Sequence, residues 1–257
     1  MTIVRAGIGN RAAMSDTGQD LSRTPATPDR RSILGVLAMG GALNSLGPLL
    51  VSLPCFLAGV LGVATYAPYG FGVAIGIAVG AAAIVAMSQT LILAARPRLL
   101  EPLFGGLDRM YRVHKWLGIS AMVLMILHDL IEPDFDHRVR ETGLGDVASD
   151  AGEFAFNALL ALIAISWFRR LPFIPLEIPY QLWRFSHRFM GVLFAIVVFH
   201  QFFVDMPTGV DPALSRLLNS FGIAGLVAWL HTEFVAPRLR RRAFTVSGVS
   251  RHGDTTE

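Results

Sequence analysis

Apolar residues run almost unbroken through six stretches of this 257-residue chain, and short charged segments separate these stretches. A helix needs about 20 mainly apolar residues to cross a bilayer. The pattern therefore predicts an all-α membrane protein, a six-helix transmembrane bundle with a disordered N-terminal tail. The predicted spans are residues 33–67, 71–95, 108–131, 154–168, 185–204 and 217–235.

Residues 1–31 are rich in Ser, Thr, Pro and Arg without apolar periodicity, which predicts a disordered cytoplasmic tail. Residues 32–236 hold the bundle, and residues 237–257 are expected to form a basic cytoplasmic tail. Arg30 and Arg31 are similar to a twin-arginine export signal, but a basic flank on the inner side of the first span is the simpler interpretation.

The first two apolar stretches differ in their interruptions. Residues 33–67 are too long for one straight crossing and contain Pro48 and Pro54, so we expect one kinked or partly interfacial span. The second stretch carries glycines at every fourth position, which favours close helix packing. These glycines are Gly72, Gly76 and Gly80.

The amino-acid composition is also that of a protein embedded in a lipid bilayer. The chain is 53% hydrophobic and 16% charged, and its mean hydropathy is +0.52, whereas soluble domains carry about 25% charged residues. The net charge of +3 does not indicate a nucleic-acid partner, because the arginines form short clusters beside apolar runs. A single cysteine, Cys55, excludes a disulfide framework and a cysteine-based metal site within the chain.

The loop charges predict the orientation. Basic residues cluster after the second, fourth and sixth spans, and acidic residues dominate the loops after the third and fifth. Because Lys and Arg accumulate in cytoplasmic loops, both termini of this multi-pass protein are expected in the cytoplasm, with the spans in the cell (inner) membrane. The basic loop residues are Arg96, Arg98, Arg109, Arg112, Lys115, Arg169, Arg170, Arg184, Arg188, Arg238, Arg240, Arg241 and Arg242.

The candidate functional residues are histidines within the third and fifth spans. His114 and His128 are 14 residues apart on the third span, which puts them within about 40° of one helix face and about 21 Å apart along its axis. His187 and His200 repeat the arrangement on the fifth span with a spacing of 13 residues, which leaves them about 140° apart on a straight helix. A bend or π-bulge near Gly191 would have to correct this angle.

The depth of each histidine in the membrane predicts which two histidines form a pair. The third and fifth spans run in the same direction, so His114 and His187 fall on the cytoplasmic side and His128 and His200 on the outer side. Histidine is costly inside hydrocarbon, and imidazole is a good axial ligand for haem iron. One such histidine could simply hydrogen-bond to a neighbouring helix, but two pairs at matched depths favour two stacked six-coordinate haems.

Three further histidines receive no functional role from their positions. His137 lies in an outer loop, His231 at the inner end of the sixth span, and His252 in the C-terminal tail. Among them, His231 alone lies close enough to a predicted span to be tested again in a structure.

Two segments that carry these histidines resemble a known family. RPRLLEPLFGGLDRMYRVHKWLG at 96–118, the following His128, and SHRFMGVLFAIVVFH at 186–200 resemble the ferric-reductase-like transmembrane domain, above all that of bacterial membrane ferredoxin-reductase-like oxidoreductases. NADPH oxidases and ferric reductases are more distant relatives. The resemblance covers about residues 70–236. It implies that His114, His128, His187 and His200 bind two haems b that carry electrons one at a time.

Full-length relatives continue into a cytoplasmic FAD-binding barrel and an NAD(P)-binding domain. Here RRRAFTVSGVSRHGDTTE at 240–257 resembles only the entry into the first strand of that barrel, and the chain has no GxGxxG motif between a strand and a helix. We therefore expect FAD and NAD(P)H to act only through a separate partner, either a cytoplasmic flavin reductase or a quinol donor. The external acceptor would be ferric iron or a periplasmic protein.

The expected function is transmembrane electron transfer from a cytoplasmic donor to an external acceptor. Arg112, Lys115, Arg184 and Arg188 could neutralise the propionates of the inner haem, although a role as inner-side anchors is at least as good an interpretation. Three alternatives stay open: the haem subunit of a two-component system similar to periplasmic methionine sulfoxide reductase, a non-haem transporter that uses intramembrane histidines, and an inactive membrane scaffold.

Overall fold

The computed structural model describes residues 30–131, 139–140, 142–167, 178–207, 212–239, 251–252 and 255–256. The chain divides into two units, Met1–Met39 and Gly40–Glu257, and the account below concerns the second. The predicted disorder of residues 1–29 and most of the expected C-terminal tail lie outside the described residues, although helix continues through Leu239.

Helices form nearly all of the described part of the chain. The helices are α1 (Arg30–Tyr66), α2 (Phe71–Ala94), α3 (Glu101–Phe104), α4 (Leu107–Ile131), α5 (Gly145–Trp167), α6 (Tyr180–Arg188), α7 (Met190–Phe203), α8 (Pro212–Leu230) and α9 (Ala236–Leu239). A 3₁₀ turn, Ala67–Tyr69, follows α1, and a π-helical turn, His231–Val235, joins α8 to α9. The strands are two residues each: β1 (Val139–Arg140), β2 (Met206–Pro207), β3 (Arg251–His252) and β4 (Thr255–Thr256).

Six segments of the described chain are long and apolar enough to cross a membrane, which confirms the predicted six-span helical architecture. The spans are Leu46–Tyr69, Phe71–Ala94, Leu107–Ile131, Gly145–Ser166, Tyr180–Phe203 and Ala213–Leu239. The fourth begins nine residues before the predicted start, because Asp146, Asp150 and Glu153 occupy its first turns and interrupted the apolar pattern. The backbone N–H and C=O groups of these turns are paired within the helix, although the side chains are acidic.

One helix, α1, covers the stretch in which we expected a single kinked or partly interfacial span, and it has more residues than a bilayer crossing requires. α1 has 37 residues and keeps Pro48 and Pro54 inside it. It begins at Arg30, one residue before the expected end of the tail at residue 31. At 1.5 Å per residue it is about 55 Å long, against a hydrocarbon core of about 30 Å.

α2 occupies the centre of the bundle. Small residues line most of its length and are buried all round, from Ala74 to Ala86. α4 and α8 pack against it, and α1 adds Ala58 and Tyr66 to the same buried cluster. A helix that is apolar on every face is stable only where neighbours surround it, so the composition of α2 determines its central place.

α5 and α7 form a second packed pair, and α7 also contacts α8 and α2. Within the described residues, α4 and α7 do not pack closely against each other. The two helices with the candidate histidines are thus held by different neighbours, α4 by α2 and α7 by α5.

The fifth span is interrupted between its two histidines. α6 ends at Arg188 and α7 begins at Met190, and the Phe189 N–H donates to the Ser186 carbonyl at 3.0 Å, a 3₁₀-type bond. A 3₁₀ turn advances about 120° per residue rather than 100°, which turns His200 toward the face of His187. The helix is thus interrupted at Phe189, two residues before Gly191, by a 3₁₀ turn rather than by a π-bulge.

The connections outside the spans are tied by polar contacts. β1 pairs with β2 and joins the loops after the third and fifth spans. Beside this ladder the Thr142 N–H donates to Asp205 Oδ1 at 3.0 Å. At the other end of the bundle Arg188 forms an ion pair with Glu233 in the π-helical turn.

Close approach of α1 and α2 generates a stability prediction. A Cβ at Gly62 would lie 2.7 Å from Ala78 Cα, whereas a Cβ at Gly59 would meet only the Ala78 carbonyl oxygen, at 3.9 Å. We expect Gly62→Ala to destabilise the protein by about 1–3 kcal/mol because the backbones must separate. Gly59→Ala should leave stability unchanged or slightly raised. Thermal unfolding of purified protein in detergent measures both, and equal midpoints would contradict the packing.

Candidate functional site

Both histidines of α4 are bonded to the backbone of α2. His114 Nδ1 lies 2.9 Å from the Thr90 carbonyl oxygen, and His128 Nδ1 lies 2.8 Å from the Gly76 carbonyl oxygen. Thr90 and Gly76 are 14 residues apart, the same separation as the two histidines. α2 and α4 are therefore antiparallel and in register over four turns.

The histidines of α7 and α6 are bonded to α5 in a related way. His200 Nδ1 lies 2.8 Å from the Ala148 carbonyl oxygen. His187 Nδ1 lies 3.3 Å from the Ser166 hydroxyl. α5 is thus antiparallel to the fifth span, as α2 is to the third.

These bonds decide which ring nitrogen stays available. A carbonyl oxygen only accepts, so Nδ1 must donate, and in a neutral ring the Nε2 lone pair is then left for another partner. This holds for His114, His128 and His200. The Ser166 hydroxyl can donate or accept, so the tautomer of His187 is not fixed by its bond. A second ring nitrogen bonded in this manner is the usual support of a metal-bound histidine.

Glycines make room for the two outer rings. A Cβ at Gly80 would lie 2.7 Å from His128 Nδ1, and a Cβ at Gly152 would overlap the His200 ring. In each case the glycine stands four residues after the residue whose carbonyl accepts the bond, Gly76 or Ala148. The glycines expected to serve general helix packing therefore have a narrower role, and Gly72 has no atom near its Cβ position.

Each of the two histidines of the fifth span is influenced electrostatically by one histidine of α4. His187 lies close enough to His114 for electrostatic interaction, and His200 lies equally within range of His128. In the described part of the chain, α4 and α7 do not pack closely against each other. All four rings are half-buried.

Aromatic side chains accompany the two inner rings. Trp183 stacks on His187 with ring centroids 5.3 Å apart and an angle of 16° between the planes. Tyr180 stacks on Trp183 in turn, at 5.7 Å. Tyr111 meets His114 edge-on at 6.3 Å. The weak hydroxyl bond of His187 is thus supplemented by a stacking contact, which sequence spacing did not reveal.

The remaining candidates take other places. His231 is exposed at the start of the π-helical turn, His137 lies outside the described residues, and His252 belongs to β3. Arg188, one of the four cations considered for propionates, is paired with Glu233. The described residues hold no group of three or more His, Cys, Asp or Glu that could bind a metal ion.

The described chain thus contains six helical spans, and four histidines on its third and fifth spans are bonded to neighbouring helices, three to backbone carbonyls and one to a hydroxyl. Residues 79–198 match the family described as "Ferric reductase like transmembrane component". The match agrees with the resemblance that the sequence indicated, and it covers slightly less than half of the chain. A search of the curated proteins found no match.

The hydrogen bonds predict the protonation pattern of the rings. In cofactor-free protein, we expect His114, His128 and His200 to carry a proton on Nδ1 and none on Nε2, because each Nδ1 faces a carbonyl oxygen. Solid-state NMR of protein labelled with ¹⁵N-histidine measures this, with single His→Ala variants to assign the signals. Protonation of Nε2 with a bare Nδ1 in these three rings would contradict the bonding described here.

Proposed function

We propose that this chain is the haem-binding membrane component of an electron-transfer system. His114 and His187 would hold one haem b, and His128 and His200 would hold a second. The observation that carries the proposal is the Nδ1 bond of each ring to a neighbouring helix, at 2.8–3.3 Å. These bonds orient two facing pairs of imidazoles and leave Nε2 of at least three of them for iron.

Each haem, when bound, would supply reversible one-electron chemistry. The protein's part is to hold both axial positions with imidazole, so that no open position remains for oxygen or substrate. The apolar residues of α4 and α7 would exclude water from the rings. About 21 Å along the α4 axis separates the two histidine levels, which is most of the hydrocarbon thickness.

A direction follows from the loop charges. The basic loops adjoin the His114 and His187 level, and the acidic loops adjoin the His128 and His200 level. We place the basic side and both termini in the cytoplasm and the protein in the inner membrane. Electrons would enter from a cytoplasmic flavin reductase or quinol, with FAD and NAD(P)H contributed through that partner. They would leave to ferric iron or a periplasmic protein.

Residues 32–236 would make up the haem domain. Arg112, Lys115 and Arg184 are exposed on the inner side, where they could receive propionates or anchor the spans. The Arg188 guanidinium is already neutralised by Glu233, which weakens it as a partner for a propionate.

Single histidine variants test the haem assignment. We expect a haem-to-protein ratio of two in the purified protein and of one in His128→Ala, because removal of one axial ligand releases its haem. The exposed His231→Ala variant should keep both. Reduced-minus-oxidised visible spectra with a protein assay give the ratio, and size-exclusion chromatography checks the fold. No haem in the wild-type spectrum would favour a transporter, and an unchanged ratio in His128→Ala would reject this ligand.

Double variants test the pairing separately from the ligands. His128→Ala combined with His200→Ala should leave one haem, because both changes empty the same level. His128→Ala combined with His114→Ala should leave none, because the changes empty both levels. Equal haem contents in these two double variants would contradict pairing by depth, even if all four single variants lose haem.

The glycine beside His128 offers a test that keeps every histidine. Gly80→Ala places a methyl group 2.7 Å from His128 Nδ1, which should displace the ring and lower occupancy of the outer haem selectively. Gly72→Ala, on the same helix with no atom within 4 Å of the added Cβ, is the matched control. Redox titration separates the two haems, and identical titrations for both variants would contradict a role for Gly80 in placing His128.

A further inference from the structure

A groove opens between the inner end of α2 and the inner half of α8, away from the two histidine pairs. Its volume is about 870 Å³. Apolar side chains such as Ile92 and Val227 line its floor, and Arg96, Arg98 and His231 stand at its rim. Ala224 marks the far end of the floor. Seven residues of helix separate it from His231, so the groove reaches about 10 Å from the basic rim toward the bilayer centre.

The two arginines at the rim have no acidic partner among the described residues. In the described part of the chain, neither Arg96 nor Arg98 forms an ion pair, and no acidic residue lines the groove. The nearby Glu233 is engaged by Arg188 on α6. Two guanidinium groups at the edge of the hydrocarbon therefore face an anion-sized opening above an apolar channel.

Arg96 is also fixed in place at a conformational cost. Its φ is +56°, directly after the end of α2, where glycine is the usual residue because a Cβ is unfavourable there. Its guanidinium carbon lies 5.1 Å from the centre of the Tyr111 ring, a cation–π distance. A strained arginine held against an aromatic ring is prearranged for a ligand at low entropic cost.

We propose that this groove binds one anionic phospholipid of the leaflet on the basic side of the protein. The phosphate would contact Arg96 and Arg98, with His231 beside it, and an acyl chain would lie along the apolar floor. Basic pockets between transmembrane helices recognise lipid head groups in this manner. The inference does not depend on the haem assignment, because none of its residues belongs to the histidine pairs.

Native mass spectrometry of the purified full chain tests the proposal with three probes. We expect one tightly bound phosphatidylglycerol per chain, weaker binding of zwitterionic phosphatidylcholine because its head group has no net charge, and weaker binding of inorganic phosphate because it lacks a chain. If inorganic phosphate binds as tightly as phosphatidylglycerol, the ligand of the groove is a soluble anion and the lipid proposal is wrong. Equal binding of both lipids would overturn the role of the arginines.

Variants test whether lipid binding depends on this groove or on general surface charge. Arg96→Gly and Arg98→Gln should each weaken phosphatidylglycerol binding about fivefold, whereas Arg109→Gln, which removes an exposed charge on the same side, should not. Ala224→Trp should weaken binding by filling the floor with every charge kept. Since glycine relieves the strain at position 96, Arg96→Gly should unfold at or above the wild-type temperature. Loss of binding in Arg109→Gln, or its persistence in Ala224→Trp, would overturn the proposal.

Discussion

The hydrogen bond from an intramembrane imidazole to a backbone carbonyl of the adjacent helix is the constraint on which the rest of this structure depends. A histidine ring in hydrocarbon is unfavourable unless its polar atoms find partners. The partners available here are carbonyl groups already engaged in helices, at Thr90, Gly76 and Ala148. Each bond connects two antiparallel helices at a defined position along their axes. The rings therefore stabilise helix packing and are candidate ligands as well.

This constraint explains the residues that surround the histidines. Gly80 and Gly152 each stand one turn beyond the accepting carbonyl, where a Cβ would collide with the ring of His128 or His200. It also explains why the two histidine helices are packed with α2 and α5 rather than with each other.

The inner and outer ends of the bundle differ in how they are held. At the outer end both rings are bonded to carbonyl oxygens and bordered by glycine. At the inner end His187 has only a hydroxyl at 3.3 Å and a stacked Trp183, and the α6–α7 break lies beside it. The Arg188–Glu233 ion pair and the π-helical turn are close in sequence to this end. The irregular backbone of the described spans is thus concentrated at the end of the bundle that carries His187.

Length and apolar composition determined the six spans, because a bilayer admits few alternatives to apolar helices of about 20 residues. Spacing along a helix likewise predicted that His114 and His128 share a face, and the 13-residue spacing showed that the fifth span could not be a straight helix. The periodicity of residues along one helix does not show which other helix packs against it. The choice of Gly76, Thr90 and Ala148 as partners, the Trp183 stack and the groove beside Arg96 arise between segments distant in sequence, so only tertiary packing decided them.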